Sequence, residues 1–222
     1  MQTIVVAAAK GGVGKTTLSA YLSVEAARHH AKVAVMDLDP IGSLTGWYGL
    51  RSKSKTENNP RLIEPGKDFR RAIEKARKQK YEILIIDTAP GSLTRIQTAI
   101  EIADFVLIPM RPSPIDVRTV DLSLGLCASQ RRPSAIALNS TTPRSAMSEG
   151  ARTFLEARGG KVLTAEIAAR ASYMHAMLSG STPAELNPKG PESEEIAQLW
   201  RELCDRAISK VSLKPAQFSK SD

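Results

Sequence analysis

The chain of 222 residues is poor in cysteine, with only Cys127 and Cys204, which lie far apart in the sequence. Neither belongs to a C-x-x-C pair or to a Cys/His cluster. This argues against a disulfide framework and against a zinc or iron–sulfur site. The low cysteine content fits a reducing compartment, so we expect a cytoplasmic protein.

Long apolar runs are also missing from the sequence. Met1–Ala9 is apolar, but it has no basic region before it and runs directly into Lys10 and Gly11. It therefore predicts neither a signal peptide nor a membrane span. Other apolar runs, such as 83–86 and 105–110, have the length of buried strands. We expect no membrane partner.

Acidic residues are in deficit. Lys and Arg number 31 against 23 Asp and Glu, so the formal net charge is +8. Such a balance favours a polyanionic partner through non-specific attraction. It is also compatible with a solvated surface that has a lysine surplus. Aromatic residues make up only 5% of the chain, so any contact with nucleic acid should use phosphates rather than base stacking.

Short apolar segments alternate with helical patterns along most of the chain. The segments are continuously apolar, as strands of a parallel sheet covered on both faces require. This alternation predicts an α/β fold, a single doubly wound domain with a mostly parallel central sheet flanked by helices. The predicted strands are Thr3–Ala9, Lys32–Asp37, Glu82–Asp87, Phe105–Met110 and Ser134–Asn139. The predicted helices between them are Lys15–Arg28, Lys67–Lys78, Leu93–Ile102, Asp116–Gln130 and Arg144–Arg158.

The pattern changes towards the end of the chain. A short apolar segment over 161–167 precedes a predicted helix at 172–178 and a long amphipathic helix at 192–210. The polar stretch 50–65 is predicted to be a loop. We expect one domain over residues 1–211 and a flexible tail over residues 212–222.

The segment KGGVGKTT follows a predicted strand and opens a predicted helix, which is the context of a phosphate-binding loop. Its glycines let the backbone turn tightly and direct N–H groups at an anion, and the helix N-terminus adds its positive end. Lys15 is placed to reach the terminal phosphates, and the Thr16 hydroxyl to bind Mg²⁺. The predicted nucleotide contacts in the loop are Lys10, Gly11, Gly12, Val13, Gly14, Lys15, Thr16 and Thr17.

This loop departs from the usual template at two positions. The pattern G-x-x-x-x-G-K-[ST] requires glycine at position 9, where the chain has Ala9, and an additional lysine follows at position 10. Lys15 already supplies the one lysine that the template requires. A second cation, Lys10, therefore needs a separate explanation.

Acidic residues stand at the ends of two later predicted strands. Asp37 and Asp39 end the second strand, and Asp87 ends the third. Ligands of open α/β sheets lie at the carboxyl ends of the strands, so these carboxylates should converge on the phosphates. Mg²⁺ keeps most of its own waters, which suits carboxylates that act through water. The predicted metal site is Thr16, Asp37 and Asp87.

Four motifs, KGGVGKTT, DLDPIGSLTGW, DTAPG and PMRPSPIDV, together resemble the ParA family of partition ATPases, whose phosphate loop carries a signature lysine. The similarity extends from Thr3 to about Lys210. It implies the P-loop NTPase fold of MinD and ParA and an Mg²⁺-dependent ATPase that is weak alone and stimulated by a partner and DNA. Larger relatives carry an N-terminal helix-turn-helix domain that has no counterpart here, so sequence-specific operator binding is not expected.

The resemblance also implies roles for the residues singled out above. Two subunits close around two ATP molecules, and Lys10 matches the lysine that reaches the phosphates bound by the other subunit. Lys10, Lys15 and Asp39 are the predicted catalytic residues, with Asp39 matching the residue that positions the attacking water.

Asn139, at the end of the fifth predicted strand, resembles the asparagine that reads the adenine edge. Two neighbouring positions depart from the family pattern. Ser140 replaces the usual basic residue after Asn139, and Ile41 stands where many relatives have glutamine.

ParA-like dimers bind DNA without sequence preference through basic residues of the C-terminal half. The expected protein partner is a ParB- or ParG-like centromere-binding or cargo-adaptor protein, and the expected location is the nucleoid. Plasmid or chromosome partition is the first expectation for the cargo, with carboxysomes and chemoreceptor clusters as alternatives. The candidate DNA contacts are Arg144, Arg152, Arg170, Lys189 and Lys210, with Arg131, Arg132, Arg158 and Lys161 as further candidates.

Relatives with other functions share the loop. Iron–sulfur members need cysteines that this chain lacks. A MinD-like membrane cycle needs a short terminal amphipathic helix, which the tail SLKPAQFSKSD does not predict. An ATP-dependent ligase of the dethiobiotin synthetase type is the alternative from a different class of activity, although such ligases lack the DLDP motif and the signature lysine.

Overall fold

In the computed structural model, the residues described are 1–29, 32–53, 60–91 and 93–207. They form a sheet of seven parallel strands with helices on both faces. The strands are β1 (Gln2–Val6), β2 (Val33–Asp37), β3 (Arg61–Leu62), β4 (Ile83–Asp87), β5 (Phe105–Met110), β6 (Ser134–Thr141) and β7 (Val162–Ala168). Their order in the sheet is β3-β2-β4-β1-β5-β6-β7.

The helices connect successive strands or follow the last one. Helices α1 to α6 lie between strands, and α7 to α9 follow β7. The helices are α1 (Lys15–His29), α2 (Ser43–Arg51), α3 (Phe69–Lys78), α4 (Leu93–Glu101), α5 (Pro114–Ser129), α6 (Ala146–Ala157), α7 (Ala171–Leu178), α8 (Pro183–Leu186) and α9 (Pro191–Ala207). Among the described residues, no helix has both the length and the apolar character that crossing a membrane requires.

The sheet has a separate apolar core on each face, and alternate residues of a strand belong to opposite cores. In β1, Ile4 and Val6 face the core that contains α1 and α9, whereas Val5 faces the core under α3, α4 and α5. Trp200 of α9 is fully buried in the first core. Two covered faces explain why the strands read as continuous apolar runs rather than as alternating ones.

The predicted α/β fold and parallel sheet are confirmed, and each of the five predicted strands is present. The first strand is shorter than predicted because the chain leaves the sheet after Val6 to begin the glycine-rich loop. All of the segment 161–167 except Lys161 lies in β7, which extends to Ala168.

The predicted loop over 50–65 is wrong in part. Helix α2 ends inside it at Arg51, and β3 occupies 61–62. The signal for α2 is weak, because two of its nine residues are glycines, which disfavour helix. Residues 54–59 of this stretch, the predicted helix end at 208–210 and the predicted tail at 212–222 lie outside the described residues. The boundary of the domain at 211 stays a prediction.

A buried ion pair connects α2 to α8. The Arg51 guanidinium is fully buried and donates to both carboxylate oxygens of Glu185, at 2.8 and 2.7 Å. It also donates to the carbonyl of Gly180 and lies 5.5 Å from the ring centroid of Trp47. Glu185 in turn accepts from the backbone N–H and hydroxyl of Thr182, the N-cap of α8. This bidentate geometry is the strong form of an arginine–carboxylate contact.

We expect Glu185→Ala to destabilise the fold by about 3 kcal/mol, because it leaves a buried guanidinium without its counter-charge. Glu194→Ala is the matched control. It removes a glutamate whose partner, Arg201, is mostly exposed, so its cost should stay below about 1 kcal/mol. Urea unfolding followed by circular dichroism measures both. Equal costs for the two variants would contradict a structural role for the Arg51–Glu185 pair.

Candidate nucleotide-binding site

The glycine-rich loop lies between β1 and α1 at the carboxyl edge of the sheet. Gly12 and Gly14 have positive φ angles of 72° and 96°, a region that residues with a side chain rarely adopt. The Asn139 side-chain amide donates to the carbonyl of Val13 at 2.7 Å. It also lies so close to Gly14 that a Cβ there would overlap it. The loop therefore requires glycine at position 14 for both conformation and space.

Lys15 is almost fully buried and lies beneath the loop. Its ammonium donates to the carbonyl of Lys10 at 3.0 Å, so the side chain spans the loop from its last turn to its first. Burial lowers the pKa of Lys15, and the negative charges of Asp87 and Asp39 partly oppose that shift. A phosphate group would add negative charge and stabilise the protonated form. The position and environment of Lys15 suit the binding of an anion.

Asp87 is the most deeply buried carboxylate of the site. It ends β4 and accepts hydrogen bonds from the hydroxyls of Thr16, at 2.7 Å, and Ser19, at 3.3 Å. Burial raises its pKa to about 7, against the effect of those hydroxyls, and the charge of Asp37 acts in the same direction as burial. Asp37 is its neighbour in the sheet, because the register between β2 and β4 pairs the two residues. Two carboxylates side by side favour a bound cation.

Asp37 and Asp39 also organise the turn that follows β2. Asp37 accepts from the backbone N–H of Asp39 at 3.0 Å, and from the N–H and hydroxyl of Thr45 at 2.9 and 3.1 Å. It thereby caps the start of α2. Asp39 accepts from the backbone N–H of Ile41 at 3.0 Å, and the Ile41 side chain is 81% exposed. Asp39 is thus held at the tip of this turn, near Lys15.

The residues predicted to bind Mg²⁺ fit an ion that keeps most of its waters. Thr16 and Asp87 are already in hydrogen-bond contact, and Asp37 adjoins them through the sheet register. Among the residues that the structure describes, no three His, Cys, Asp or Glu side chains cluster as a metal cage would require. One hydroxyl and two carboxylates beside a phosphate site are instead typical of Mg²⁺ bound mainly by phosphate oxygens and water.

Lys10 forms an ion pair within its own subunit. Its ammonium contacts the carboxylate of Asp116, which is 2% exposed, and the Lys10 side chain itself is 37% exposed. Arg111 lies beside this pair and donates from its guanidinium to the carbonyl of Gly12. The Ser123 hydroxyl of α5 accepts from the backbone N–H of Ala9 at 3.2 Å. Helix α5 and the loop before it therefore contact the glycine-rich loop and its approach at several points.

Sequence reasoning assigned no role to Arg111, Asp116, Ser19 or Ser123. Arg111 and Asp116 lie within the motif PMRPSPIDV, but their function as contacts of the loop depends on β5 lying next to β1. Ser19 is one helical turn after Thr16 on α1, and this spacing is a signal that could have identified it.

The structure separates the predicted DNA contacts into two groups. Arg152 pairs with Glu166 at 2.9 Å, and Arg170 pairs with Glu195 at 2.9 Å, so both guanidinium groups are engaged within the fold. Arg144 and Lys189 are exposed. Lys210 lies outside the described residues. The DNA-binding role of these residues stays a prediction, as does the contact of Asn139 with adenine.

A glycine-rich loop between a strand and a helix, a buried lysine beneath it and carboxylates on the adjoining strand ends define a P-loop nucleotide-binding protein. The family model described as the CobQ/CobB/MinD/ParA nucleotide binding domain matches residues 4–184. The chain belongs to this family, and the predicted ParA-type membership is confirmed.

Relatives and solved structures agree with this assignment. The chain is 32% identical over 208 residues to maintenance of carboxysome distribution protein A of Halothiobacillus neapolitanus, a match that covers 90% of this chain and 95% of that protein. It is 35% identical over 133 residues to protein ParA of Rhizobium radiobacter, with 59% and 58% of the two chains covered.

Solved structures share the fold at lower sequence identity. MinD in the Aquifex aeolicus MinC:MinD complex has a TM-score of 0.74 at 21% identity, covering 98% of this chain and 100% of that one. Apo McdA of Cyanothece has a TM-score of 0.73 at 20% identity, covering 91% and 98%. The fold of the chain is that of the MinD and ParA P-loop NTPases.

We expect Gly14→Ala to abolish measurable ATP binding and to cost about 1–3 kcal/mol of stability, because φ is positive there and the Cβ overlaps Asn139. Gly125→Ala is the control. Gly125 lies in α5, and a Cβ there meets nothing within 4 Å, so this variant should be neutral or stabilising by up to about 1 kcal/mol. Calorimetric ATP titration and thermal unfolding test both. Unchanged ATP affinity in Gly14→Ala would refute the assignment of the loop.

Proposed function

We propose that the chain is an Mg²⁺- and ATP-dependent dimerising ATPase switch that binds DNA non-specifically and positions or segregates a cargo. The observation that carries the proposal is the second cation of the loop. Lys15 lies beneath the loop, whereas Lys10 is at its mouth, paired with Asp116. One lysine is enough for phosphates bound in the same subunit, so the second is explained by a contact across a dimer.

Nucleotide binding uses groups that are already in place. The N–H groups of the glycine-rich loop and the first turn of α1 receive the phosphates, and Lys15 exchanges the Lys10 carbonyl for a phosphate oxygen. Thr16, Asp87 and Asp37 would hold Mg²⁺, in part through water. The ion, when bound, neutralises phosphate charge and lowers the barrier to phosphoryl transfer.

Asp39 is the proposed residue for positioning the attacking water. It stands at the tip of the turn after β2, and its charge acts on Lys15 across the site. A carboxylate repels the phosphates rather than gripping them, so its role is to orient and polarise water. ATP hydrolysis by the protein alone should be slow, and a partner protein should stimulate it.

Dimer formation requires Lys10 to leave Asp116. This ion pair is half-exposed on the lysine side and buried on the aspartate side. A charge-assisted contact with phosphate oxygens of the partner subunit would replace it. Lys10 would then neutralise charge that develops during phosphoryl transfer, as an arginine finger does.

Two kinds of cargo follow from the relatives. The ParA protein of Rhizobium radiobacter supports plasmid or chromosome partition, with a ParB- or ParG-like partner. The carboxysome distribution protein of Halothiobacillus neapolitanus matches over nearly its whole length and supports a protein-assembly cargo. The DNA-bound, ATP-dependent cycle is the same in both proposals. The two differ in the adaptor protein that stimulates hydrolysis.

We expect Lys10→Ala to weaken ATP-dependent dimerisation by roughly 3–6 kcal/mol, since two symmetric charged hydrogen bonds of about 1.5–3 kcal/mol each are lost. Nucleotide binding by the monomer should survive. Asp116→Asn is the control, because it breaks the same intramolecular ion pair but keeps the lysine. Light scattering with and without ATP distinguishes the variants. An undiminished ATP dimer in Lys10→Ala, or an equal loss in Asp116→Asn, would contradict the cross-dimer role.

We expect Asp39→Ala to slow ATP hydrolysis by about 10²-fold or more while ATP affinity stays unchanged or rises. The ATP state should accumulate, so the variant should form a long-lived dimer that stays on DNA. Asp39→Asn keeps the acceptor for the Ile41 N–H and removes only the charge, so it should behave in the same way. Phosphate release is measured together with DNA retention after dilution. Normal turnover in both variants would show that another residue positions the water.

A further inference from the structure

The positive charge of the chain is concentrated in a short segment that contains β3 and α3. Residues 61–81 contain eight Lys and Arg and three Asp and Glu, a net charge of +5 out of the total of +8. Residues 131–207, within the half where the resemblance places the DNA contacts, contain ten basic and nine acidic residues, a net charge of +1. The distribution of charge therefore points to α3 and its surroundings.

The fold places three of these cations in one row on the exposed side of α3. Ile73 and Ala76 are buried against the sheet, whereas Arg71, Lys75 and Lys78 are exposed. Their spacing of four and three residues puts the three cations in one row along the helix. Arg61 of the edge strand β3 and Lys32, which precedes β2, lie beside α3. We name these five residues, Lys32, Arg61, Arg71, Lys75 and Lys78, the basic edge.

A groove of about 590 Å³ runs between α3 and the edge of the sheet. Three of its polar lining residues are cations of the basic edge, Lys32, Arg61 and Lys75, and Glu64 is its one acid among the described residues. The Lys32 ammonium is fixed there by the carbonyl of Gln79, at 2.8 Å. The groove is thus a concave surface that presents positive charge.

Most cations of the basic edge have no close counter-charge in the described ranges, whereas four arginines of the C-terminal half do. Arg61, Lys75 and Lys78 form no ion pair with any acid in the described ranges. Arg71 has only a long contact with Asp68, 3.3 Å, and its side chain is 88% exposed. In the C-terminal half, by contrast, ion pairs occupy four arginines. They are Arg152, Arg158, Arg170 and Arg201.

We propose that the basic edge is the surface through which the protein contacts the phosphate backbone of duplex DNA. This inference rests on the proposed function and assigns its DNA contact to α3 and β3 rather than to the C-terminal half. The row Arg71–Lys75–Lys78 is about 10 Å long, which matches the axial length of about three phosphates on one DNA strand. Arg61 and Lys32 line the same groove as Lys75 and add two further cations to this surface.

Two further observations favour DNA over a protein partner. Protein interfaces depend on buried apolar anchors, yet none of the exposed large hydrophobic residues lies within 61–81. The basic edge also leaves the nucleotide face free, because Lys32 and Lys78 lie near the amino ends of β2 and β4. The phosphate loop and Asp39 lie at the opposite, carboxyl ends. A dimer closed around ATP could therefore keep both basic edges exposed.

The test compares two triple variants that remove the same charge. Arg71→Gln/Lys75→Gln/Lys78→Gln neutralises the basic edge, and Arg144→Gln/Lys161→Gln/Lys189→Gln neutralises three exposed cations of the C-terminal half. Fluorescence anisotropy of a labelled random-sequence duplex is measured with Mg²⁺ and ATP over a series of KCl concentrations. The basic-edge variant should bind at least about tenfold more weakly, and the slope of log affinity against log salt should fall by about 3. The control should retain affinity within about twofold.

Light scattering must show an ATP dimer for both variants, so that lost DNA binding is not mistaken for lost assembly. Lys75→Glu serves as a single-site variant if the triple variant folds poorly, and it should weaken binding as well. Wild-type affinity in the basic-edge variant, or a larger loss in the C-terminal control, would overturn the assignment of the surface alone. A wild-type protein that forms the ATP dimer but does not bind DNA would overturn the proposed function as well.

Discussion

The candidate site depends on the register between β2 and β4. That register places Asp37 beside Asp87 at the carboxyl edge of the sheet, and Asp87 is within hydrogen-bond reach of the first turn of α1. A shift of β2 by one residue against β4 would turn Asp37 to the other face of the sheet and separate it from Asp87. Burying two carboxylates side by side without a cation is unfavourable in free energy. The packing of the two apolar cores keeps them there, and a bound cation would reduce their repulsion.

A second constraint is the set of hydrogen bonds that fix the backbone of the phosphate loop, most of which come from residues outside the loop. Asn139 of β6 holds the Val13 carbonyl, Arg111 holds the Gly12 carbonyl, and Ser123 accepts from Ala9. Lys15 closes the loop from below. The loop is thus preorganised by β6, α5 and α1 together, which reduces the cost of ordering it around an anion.

Much of this could be predicted from the sequence, because the loop motif and the strand-end acids are local patterns. Lys15, Thr16 and Asp87 lie together as the spacing indicates. The pairing of Lys10 with Asp116 could not be predicted, since it depends on which strand lies next to β1. Helix α2 was missed because two of its nine residues are glycines. Its N-terminal hydrogen bonds come from Asp37, eight residues before Thr45, so no local capping residue marks where it begins.

Asp37 also connects the candidate site to α2. Its carboxylate accepts three hydrogen bonds from the turn and from Thr45, and α2 is joined at its other end to α8 through Arg51 and Glu185. Any reorientation of Asp37 towards a cation removes acceptors from α2. Suppose that nucleotide binding shifts α2 and thereby changes the affinity for a molecule that binds α2 or α8. That molecule must then change the affinity for nucleotide by the same factor, because thermodynamic coupling between two sites is reciprocal.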